Sequence, residues 1–199
     1  YTLGGYAPAL TVAENLGDWV AERALGWDKE TADRVLGVEY GGMNDCMYEL
    51  YALTKEPRYA RAAHVFDEEP LLDKILSDGK NVLKDRHANT TIPKVLGALK
   101  RYLVLDGEIL DGERIDASRY LRVAEIFFRM VVERHTYVTG GNSEWEHFGA
   151  DYVLDAERTN CNCETCNVYN MLKLARLLFC VTGDKSYTDY YDNAFTNSI

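Results

Sequence analysis

The spacing of apolar residues along the chain predicts helices almost throughout. In five segments, apolar side chains recur at steps of three and four, as on one face of an amphipathic helix. In the third of these segments, Asn89 or Thr90 is expected to cap the helix, and Pro93 is expected within its first turn. Strand-like alternation is hard to find, so the pattern predicts an all-α fold. The segments are Ala9–Leu25, Asn44–Leu53, the residues after Asn89, Tyr120–Val132 and Val168–Phe179.

A weak internal repeat indicates how these helices are arranged. Leu53–Tyr59 and Val181–Tyr187 each follow an apolar helix and place Thr, an acidic residue and Tyr at matching offsets. A looser copy runs from Asp106 to Tyr120. Helical hairpins repeated around an axis form an α/α toroid, and a closed barrel of six hairpins needs about twice this length. We therefore expect residues 1–199 to be part of a single (α/α)6-barrel domain, incomplete at both ends.

Composition and charge narrow the range of partners. The 199 residues, 47% of them hydrophobic, are enough to bury a substantial core. Asp and Glu number 32 against 22 Lys and Arg, and the resulting formal charge of −10 would repel a phosphate backbone. No apolar run approaches the roughly 20 residues that span a bilayer. We therefore predict neither a nucleic-acid partner nor a membrane partner.

The first residues and the cysteines bear on localisation. The chain starts at Tyr1 without an initiator Met, as expected of a segment of a longer protein. Its five cysteines are odd in number and three are crowded together, which is not typical of a disulfide framework. Reduced thiols slightly favour the cytoplasm, but a bound metal would protect them elsewhere, and a removed signal peptide would allow secretion. Localisation is therefore left open.

Three cysteines and a glutamate lie together at the predicted start of a helix. Cys161, Cys163 and Cys166 form a C-x-C-x-x-C motif that includes Glu164. Thiolates and a carboxylate at this spacing are typical zinc ligands, and the positive end of the following helix favours a thiolate at Cys166. Neighbouring side chains alternate in direction, so only a subset can bind one ion. Half-buried cysteines without an ion are the alternative.

The two remaining cysteines are expected outside this site. Cys180 lies about 21 Å from Cys166 if the helix between them is continuous at roughly 1.5 Å per residue. We interpret Cys180 and Cys46 as thiols of the hydrophobic core. The sequence offers no obvious fourth zinc ligand.

An acidic, aromatic loop precedes the cysteine motif. Thr139–Phe148 contains two glycines and places Trp145 between Glu144 and Glu146. An aromatic ring beside carboxylates is typical of a sugar subsite, in which the ring covers the sugar and an acid protonates the leaving oxygen. From composition alone, a solvated acidic pair beside a packed Trp is an equally good interpretation.

Two further segments contain candidate ligand contacts. His87 precedes a predicted helix and has no evident capping role. Asn44 follows two glycines and is expected either to contact a ligand or to cap the next helix. His64 and His135 fall within helical patterns, which favours structural roles.

Four motifs in one order resemble those of a known enzyme family. They are Tyr40–Asn44, His87–Val95, Thr139–Ser143 with Glu146–Phe148, and Glu164–Leu174. From about Ala9 to its end, the chain resembles the β-L-arabinofuranosidases of glycoside hydrolase families 127 and 146.

The resemblance implies an (α/α)6-barrel glycosidase that binds zinc and a carbohydrate substrate. It makes Glu146 the general acid/base, Glu164 and Cys166 zinc ligands, and His87 a sugar contact. We also predict that Asn44 and Trp145 contact the substrate. The candidate site residues are therefore Glu146, Glu164, Cys166, His87, Asn44 and Trp145.

The nucleophile implied by the resemblance is a zinc-bound cysteine from a later pair of cysteines, which gives retention of configuration. No such pair occurs before Ile199. The nucleophile is therefore expected beyond this chain, and the activity of the chain alone is open. Cys161 matches nothing in the family's pattern, and whether Cys161 or Cys163 binds metal is also open.

The sequence thus predicts a retaining β-L-arabinofuranosidase that removes L-arabinofuranose from plant-type glycans or glycoproteins. One alternative is another carbohydrate enzyme on an α/α toroid, such as a sugar epimerase or an unsaturated uronide hydrolase, which would not need the thiolates. A second is a non-catalytic toroid that binds a glycan or a protein. Because an incomplete barrel exposes apolar helix faces, we also expect self-association.

Overall fold

The computed structural model describes residues 1–38, 40–154, 156 and 160–199, and its framework is helical. The sixth helix is followed by a short antiparallel hairpin, in which β1 (Ile109–Leu110) and β2 (Glu113–Arg114) have two residues each. The prediction of an all-α fold is confirmed. No helix in the part of the chain that the structure describes is long and apolar enough to span a membrane. The helices are α1 (Ala7–Ala24), α2 (Lys29–Leu36), α3 (Met43–Thr54), α4 (Pro57–Val65), α5 (Glu69–Leu76), α6 (Ala88–Leu105), α7 (Ser118–Arg134), α8 (Thr165–Thr182) and α9 (Ser186–Ser198).

Three helical hairpins form the framework that carries the candidate site. In each hairpin a helix packs against the next one in the chain: α3 with α4, α6 with α7, and α8 with α9. The first helices of the hairpins also pack side by side, with α6 between α3 and α8. Tyr59, Tyr120 and Tyr187 are all buried in the first turn of a hairpin's second helix, which confirms the internal repeat.

Helix α6 begins earlier than the sequence suggested. Its N-cap is His87, whose Nδ1 accepts a hydrogen bond from the amide of Thr90 at 3.3 Å. The predictions that Asn89 or Thr90 caps this helix, and that His87 has no capping role, were wrong because histidine is not among the usual capping residues. Pro93 accordingly lies in the second turn, where its missing N–H removes the hydrogen bond that the Asn89 carbonyl would otherwise accept.

Cys46 and Cys180 are both exposed, so the prediction that they belong to the core was wrong. Residues two positions apart on a helix point to different sides. Cys180 comes two residues after the buried Leu178, whereas Cys46 lines an open apolar groove together with residues of α1. The apolar pattern of each helix was recognised correctly, but the position of the cysteine within it was not.

Exposed apolar side chains lie on one face of α1. Val12, Leu16 and Trp19 are 58%, 63% and 55% exposed. Apolar patches of this kind favour association. Self-association of the chain stays a prediction.

A buried carboxylate joins α3 to α6. Asp67 accepts hydrogen bonds from Asn44 Nδ2 at 2.9 Å, Tyr48 Oη at 2.6 Å and Arg101 Nη1 at 2.8 Å. Burial raises the pKa of Asp67, while these three donors act in the opposite direction. The Asn44 amide also donates to the Lys94 carbonyl at 3.1 Å. Helix α3, helix α6 and the segment between α4 and α5 are thus joined around one carboxylate.

The close packing of α3 on α6 gives a prediction about stability. A methyl group at Gly97 of α6 would overlap the amide of Asn44. We predict that Gly97→Ala destabilises the fold by about 1–3 kcal/mol through overpacking, although alanine is the better helix former. Urea unfolding of the full-length protein measures the effect.

Two variants control this experiment. Gly79→Ala meets only ordinary contacts of 3.5 Å or more and should change the free energy of unfolding by less than about 0.5 kcal/mol. Asn44→Ala combined with Gly97→Ala should destabilise by less than the sum of the two single changes, because the collision is gone. Full stability of Gly97→Ala alone would show that the helices are not packed this closely.

Candidate active site

Three short segments outside the helices meet beside the starts of α6 and α8. The amide of Ala88 donates to the carbonyl of Glu146 at 2.8 Å, and the amide of Trp145 donates to the carbonyl of Cys161 at 2.8 Å. Further backbone pairing continues on both sides of the middle segment, which therefore joins the outer two. The segments are residues 85–88, 144–148 and 161–163.

Side-chain amides join the starts of the two helices to each other and to the loop. Asn170 Nδ2 of α8 donates to Asn89 Oδ1 of α6 at 2.9 Å. The buried Asn167 Nδ2 donates to Ser143 Oγ at 2.6 Å, just before the middle segment. The motifs containing His87, Glu146 and Glu164 are therefore held at the same end of the helices.

Trp145 and Glu146 are the two central residues of a tight hairpin turn. Glu144 and His147 exchange backbone hydrogen bonds of 3.0 and 3.1 Å. Trp145 and Glu146 both have positive φ, 50° and 65°, as in a type I′ turn, where Asn and Gly are preferred. A left-handed conformation costs a residue with a Cβ about 1–2 kcal/mol. Strained residues of this kind are concentrated at functional sites, so the turn is a candidate for the centre of the chemistry.

The carboxylate of Glu146 lies beside a half-buried imidazole. His87 Nε2 is 3.5 Å from Glu146 Oε2, and the side chains are 14% and 59% exposed, respectively. The ring of His87 stands edge-on to that of His147, with centroids 5.3 Å apart. An accessible carboxylate next to a proton-bearing ring is suited to proton transfer with a bound ligand. The indole of Trp145, 55% exposed, lies on the same turn.

Glu164 and Cys166 approach each other at the start of α8. Glu164 is the N-cap residue, and the Cys166 thiol lies 3.6 Å from Glu164 Oε2. Burial, followed by the negative charge of Glu164, raises the pKa of the Cys166 thiol. The helix N-terminus was expected to favour a thiolate here, but burial and the carboxylate oppose it. A bound cation would reverse this balance, because it stabilises both anionic donors.

The donor pair fits two positions of a zinc site. With Zn–S distances of about 2.3 Å and Zn–O distances of about 2.0–2.2 Å, tetrahedral sulfur and oxygen ligands lie about 3.5 Å apart. Sγ of Cys166 and Oε2 of Glu164 are 3.6 Å apart. Over the described ranges, no group of three or more His, Cys, Asp or Glu side chains is placed to hold a metal. The separation of this pair is thus compatible with two of the four positions of a tetrahedral site.

The other two cysteines of the motif have different surroundings. Cys163 has a φ of 54° and packs so closely on Gly141 that a methyl group there would lie 2.6 Å from Cys163 Cβ. Burial raises the pKa of the Cys163 thiol. Cys161 is exposed, and its carbonyl accepts the hydrogen bond from Trp145. Neither thiol forms a group of three with Glu164 and Cys166.

Comparison with known proteins gives the family of the chain. The family model for the β-L-arabinofuranosidase GH127 catalytic domain matches residues 1–199. The chain belongs to the GH127 family. The solved structure of the GH127 β-arabinofuranosidase BT3674 has a similar fold, with a TM-score of 0.60 and 19% sequence identity. The match covers 84% of this GH127 chain and 28% of that protein, so the chain spans well under half the length of its solved relative. No curated protein matches the chain.

Asn44, a predicted substrate contact, lies inside the GH127 chain rather than at its surface. It is 1% exposed, and its Oδ1 accepts the amide of Asp45 at 2.9 Å while its Nδ2 donates to Asp67 and Lys94. Its hydrogen-bonding groups are thus occupied within the protein. This placement favours a structural role between α3 and α6.

A group of ion pairs around Glu68, next to the site, was not predicted from the sequence. Glu68 accepts from Arg86 Nη1 at 3.1 Å and from Lys94 Nζ at 2.7 Å. Lys94 Nζ also lies 4.1 Å from the ring centre of Tyr40, within range of a cation–π contact. Arg86 belongs to the segment 85–88, which also holds His87, so these ion pairs help to fix that segment. The available signal was a lysine on the buried face of a helix together with the acidic run at residues 67–69.

Two histidines outside the site have the structural character expected of them. Burial lowers the pKa of His64 to about 4 and also lowers the pKa of the buried His135. Burial thus favours the neutral form of both rings.

The strained turn predicts an unusual order of stability between two variants. Glu146→Ala and Glu146→Gly both remove the carboxylate, but only alanine keeps the Cβ that disfavours positive φ. We predict that Glu146→Gly is the more stable of the two by about 1 kcal/mol, measured by urea unfolding of the full-length protein. At a position with ordinary φ, alanine is instead the more stable by about 0.4–1 kcal/mol, and that order would contradict the turn.

Proposed function

We propose that the GH127 chain contributes the acid/base part of a retaining β-L-arabinofuranosidase, which removes L-arabinofuranose from plant-type glycans or glycoproteins. The observation that carries the proposal is the turn of Trp145 and Glu146. It presents an accessible carboxylate and an aromatic face together, at the end of the helices where Glu164 and Cys166 lie. The family match supports the same activity.

Glu146 is proposed as the general acid/base. Its carboxyl group would give a proton to the glycosidic oxygen as the bond breaks and later take a proton from the attacking water. Its 59% exposure leaves the carboxylate accessible to a glycan. The neighbouring Trp145 would cover one face of the sugar ring and exclude water from it.

Glu164 and Cys166 are proposed as zinc ligands. Their separation fits two tetrahedral positions, and their chemistry suits the ion. When bound, zinc keeps a coordinated thiol ionised at neutral pH. The remaining ligands and the cysteine nucleophile are expected outside these 199 residues. Within this chain, Glu164 and Cys166 would orient that part of the site at the start of α8.

The role of Glu146 predicts a specific loss of activity. The full-length protein should hydrolyse an aryl β-L-arabinofuranoside, and Glu146→Gln should lower kcat by about 10²–10⁴-fold, the usual contribution of general acid/base catalysis. The fall in kcat should be greater for an alkyl arabinofuranoside than for the aryl one, because an alkoxide is the poorer leaving group and depends more on protonation by Glu146.

Glu144→Gln is the matched control, since Glu144 lies two residues away but outside the centre of the turn. It should keep most of the activity. Unchanged kcat in Glu146→Gln would remove Glu146 from the mechanism. Proton NMR of the first product identifies the reaction class: a released arabinose of retained configuration supports the proposal, whereas an epimerised sugar or no turnover would favour one of the alternatives.

The ligand pair predicts how zinc content depends on two cysteines. Full-length protein should contain stoichiometric zinc by metal analysis. Cys166→Ser should lose most of it, and Cys161→Ser should retain it. Zinc retention should also fall at lower pH, because the thiol pKa is raised and protons compete with the metal for the sulfur. Absence of stoichiometric zinc in the wild type would favour an enzyme that does not need the thiolates.

A further inference from the structure

The ring of His87 is held in one orientation by the start of α6. Its Nδ1 accepts the amide hydrogen of Thr90 at 3.3 Å. A backbone amide can only donate, so Nδ1 must carry a lone pair. In the neutral ring the proton is then on Nε2. The helix cap therefore sets both the orientation and the tautomer of His87.

In this tautomer the N–H group is on the ring nitrogen nearer Glu146. His87 Nε2 lies 3.5 Å from Glu146 Oε2, somewhat longer than a formed hydrogen bond of about 2.7–3.2 Å. Catalytic contacts are commonly long without substrate and tighten when it binds. The N–H is thus in place to hold the carboxylate once a ligand closes the site.

The backbone of Glu146 is fixed to the same point. Its carbonyl accepts from the amide of Ala88, the residue that follows His87, at 2.8 Å. The side chain itself extends from a turn and is 59% exposed, so packing alone constrains it little. The main chain of Glu146 is therefore bonded to the start of α6, and its carboxylate lies beside His87, the N-cap residue of that helix.

The neighbouring histidine has the opposite tautomer. His147 Nδ1 lies 2.7 Å from the Trp145 carbonyl, which can only accept. Nδ1 of His147 therefore carries the proton, and its Nε2 is an acceptor in the neutral ring. Of these two rings, His87 is the one built to donate from Nε2 to a carboxylate.

We propose that His87 is a positioning residue for Glu146, with its ring locked by the α6 cap so that Nε2–H orients the carboxylate for proton transfer. This inference rests on the proposed acid/base role of Glu146. The resemblance predicted that His87 contacts the sugar directly. In this inference His87 acts on the reaction through Glu146 instead.

Two substitutions separate the cap from the donor. His87→Asn keeps a good N-cap but is too short to reach Glu146. His87→Gln extends an amide N–H towards the position of Nε2 and is a poor cap. In the full-length enzyme we expect His87→Asn to retain the wild-type melting temperature, with kcat lowered about 10–100-fold and KM changed less than about threefold, as for other residues that orient a catalytic group. His87→Gln should melt at a lower temperature yet retain a higher kcat than His87→Asn.

The kinetic results discriminate between the roles. Wild-type kcat in His87→Asn would reduce His87 to a cap and overturn the proposal. A raised KM with unchanged kcat would overturn it in favour of a sugar contact. His87→Asn and His87→Gln with equal kcat would show that no donor acts on Glu146.

A measurement without substrate separates failure of this inference from failure of the proposed function. Nitrogen-15 NMR of histidine-labelled full-length protein should show His87 protonated at Nε2 and His147 at Nδ1, and the His87 Nε2 signal should move in Glu146→Gln. Protonation of His87 at Nδ1, or an unmoved signal, would overturn the positioning role even in an active enzyme. Lack of arabinofuranosidase activity with the expected signals would instead overturn the proposed function.

Discussion

Backbone pairing among residues 85–88, 144–148 and 161–163 is the constraint on which the candidate site depends. The helices bring the starts of α6 and α8 together, but Glu146 belongs to neither helix. It reaches its place because the middle segment pairs with the residues before each helix. Without those hydrogen bonds, its turn would have no fixed position relative to His87 or Cys166.

The same pairing offsets the strain that the turn imposes. Trp145 and Glu146 occupy conformations that glycine and asparagine adopt at less cost. Backbone hydrogen bonds to the segments on either side of the turn hold both residues in these conformations. The carboxylate of Glu146 and the indole of Trp145 project from the turn. Below the turn, the ion pairs of Glu68 anchor the first segment through Arg86. The site thus combines an exposed, strained turn with surrounding segments that are held by many hydrogen bonds and ion pairs.

The helices could be predicted because each has an apolar face with a regular period, and α8 in particular begins where expected. The site was only partly predictable. Glu146 and the pairing of Glu164 with Cys166 were proposed from motifs, whereas their arrangement depends on loops that pair across about 60 residues of sequence and carry no periodic signal. The cap at His87 was missed because its residue type is atypical. The burial of Asn44 was not predicted, because a polar residue shortly after two glycines suits a ligand contact as well as a buried network.

Two proposed kinds of chemistry meet at one end of the helices: proton transfer by Glu146 on the turn, and metal binding by the sulfur–oxygen pair at the start of α8. The most direct test of this division is a crystal structure of the full-length protein with diffraction measured at the zinc absorption edge. We predict one anomalous peak bonded to Glu164 and Cys166, with the carboxylate of Glu146 uncoordinated beside His87. A peak bonded to Cys163, or Glu146 among the ligands, would contradict the account.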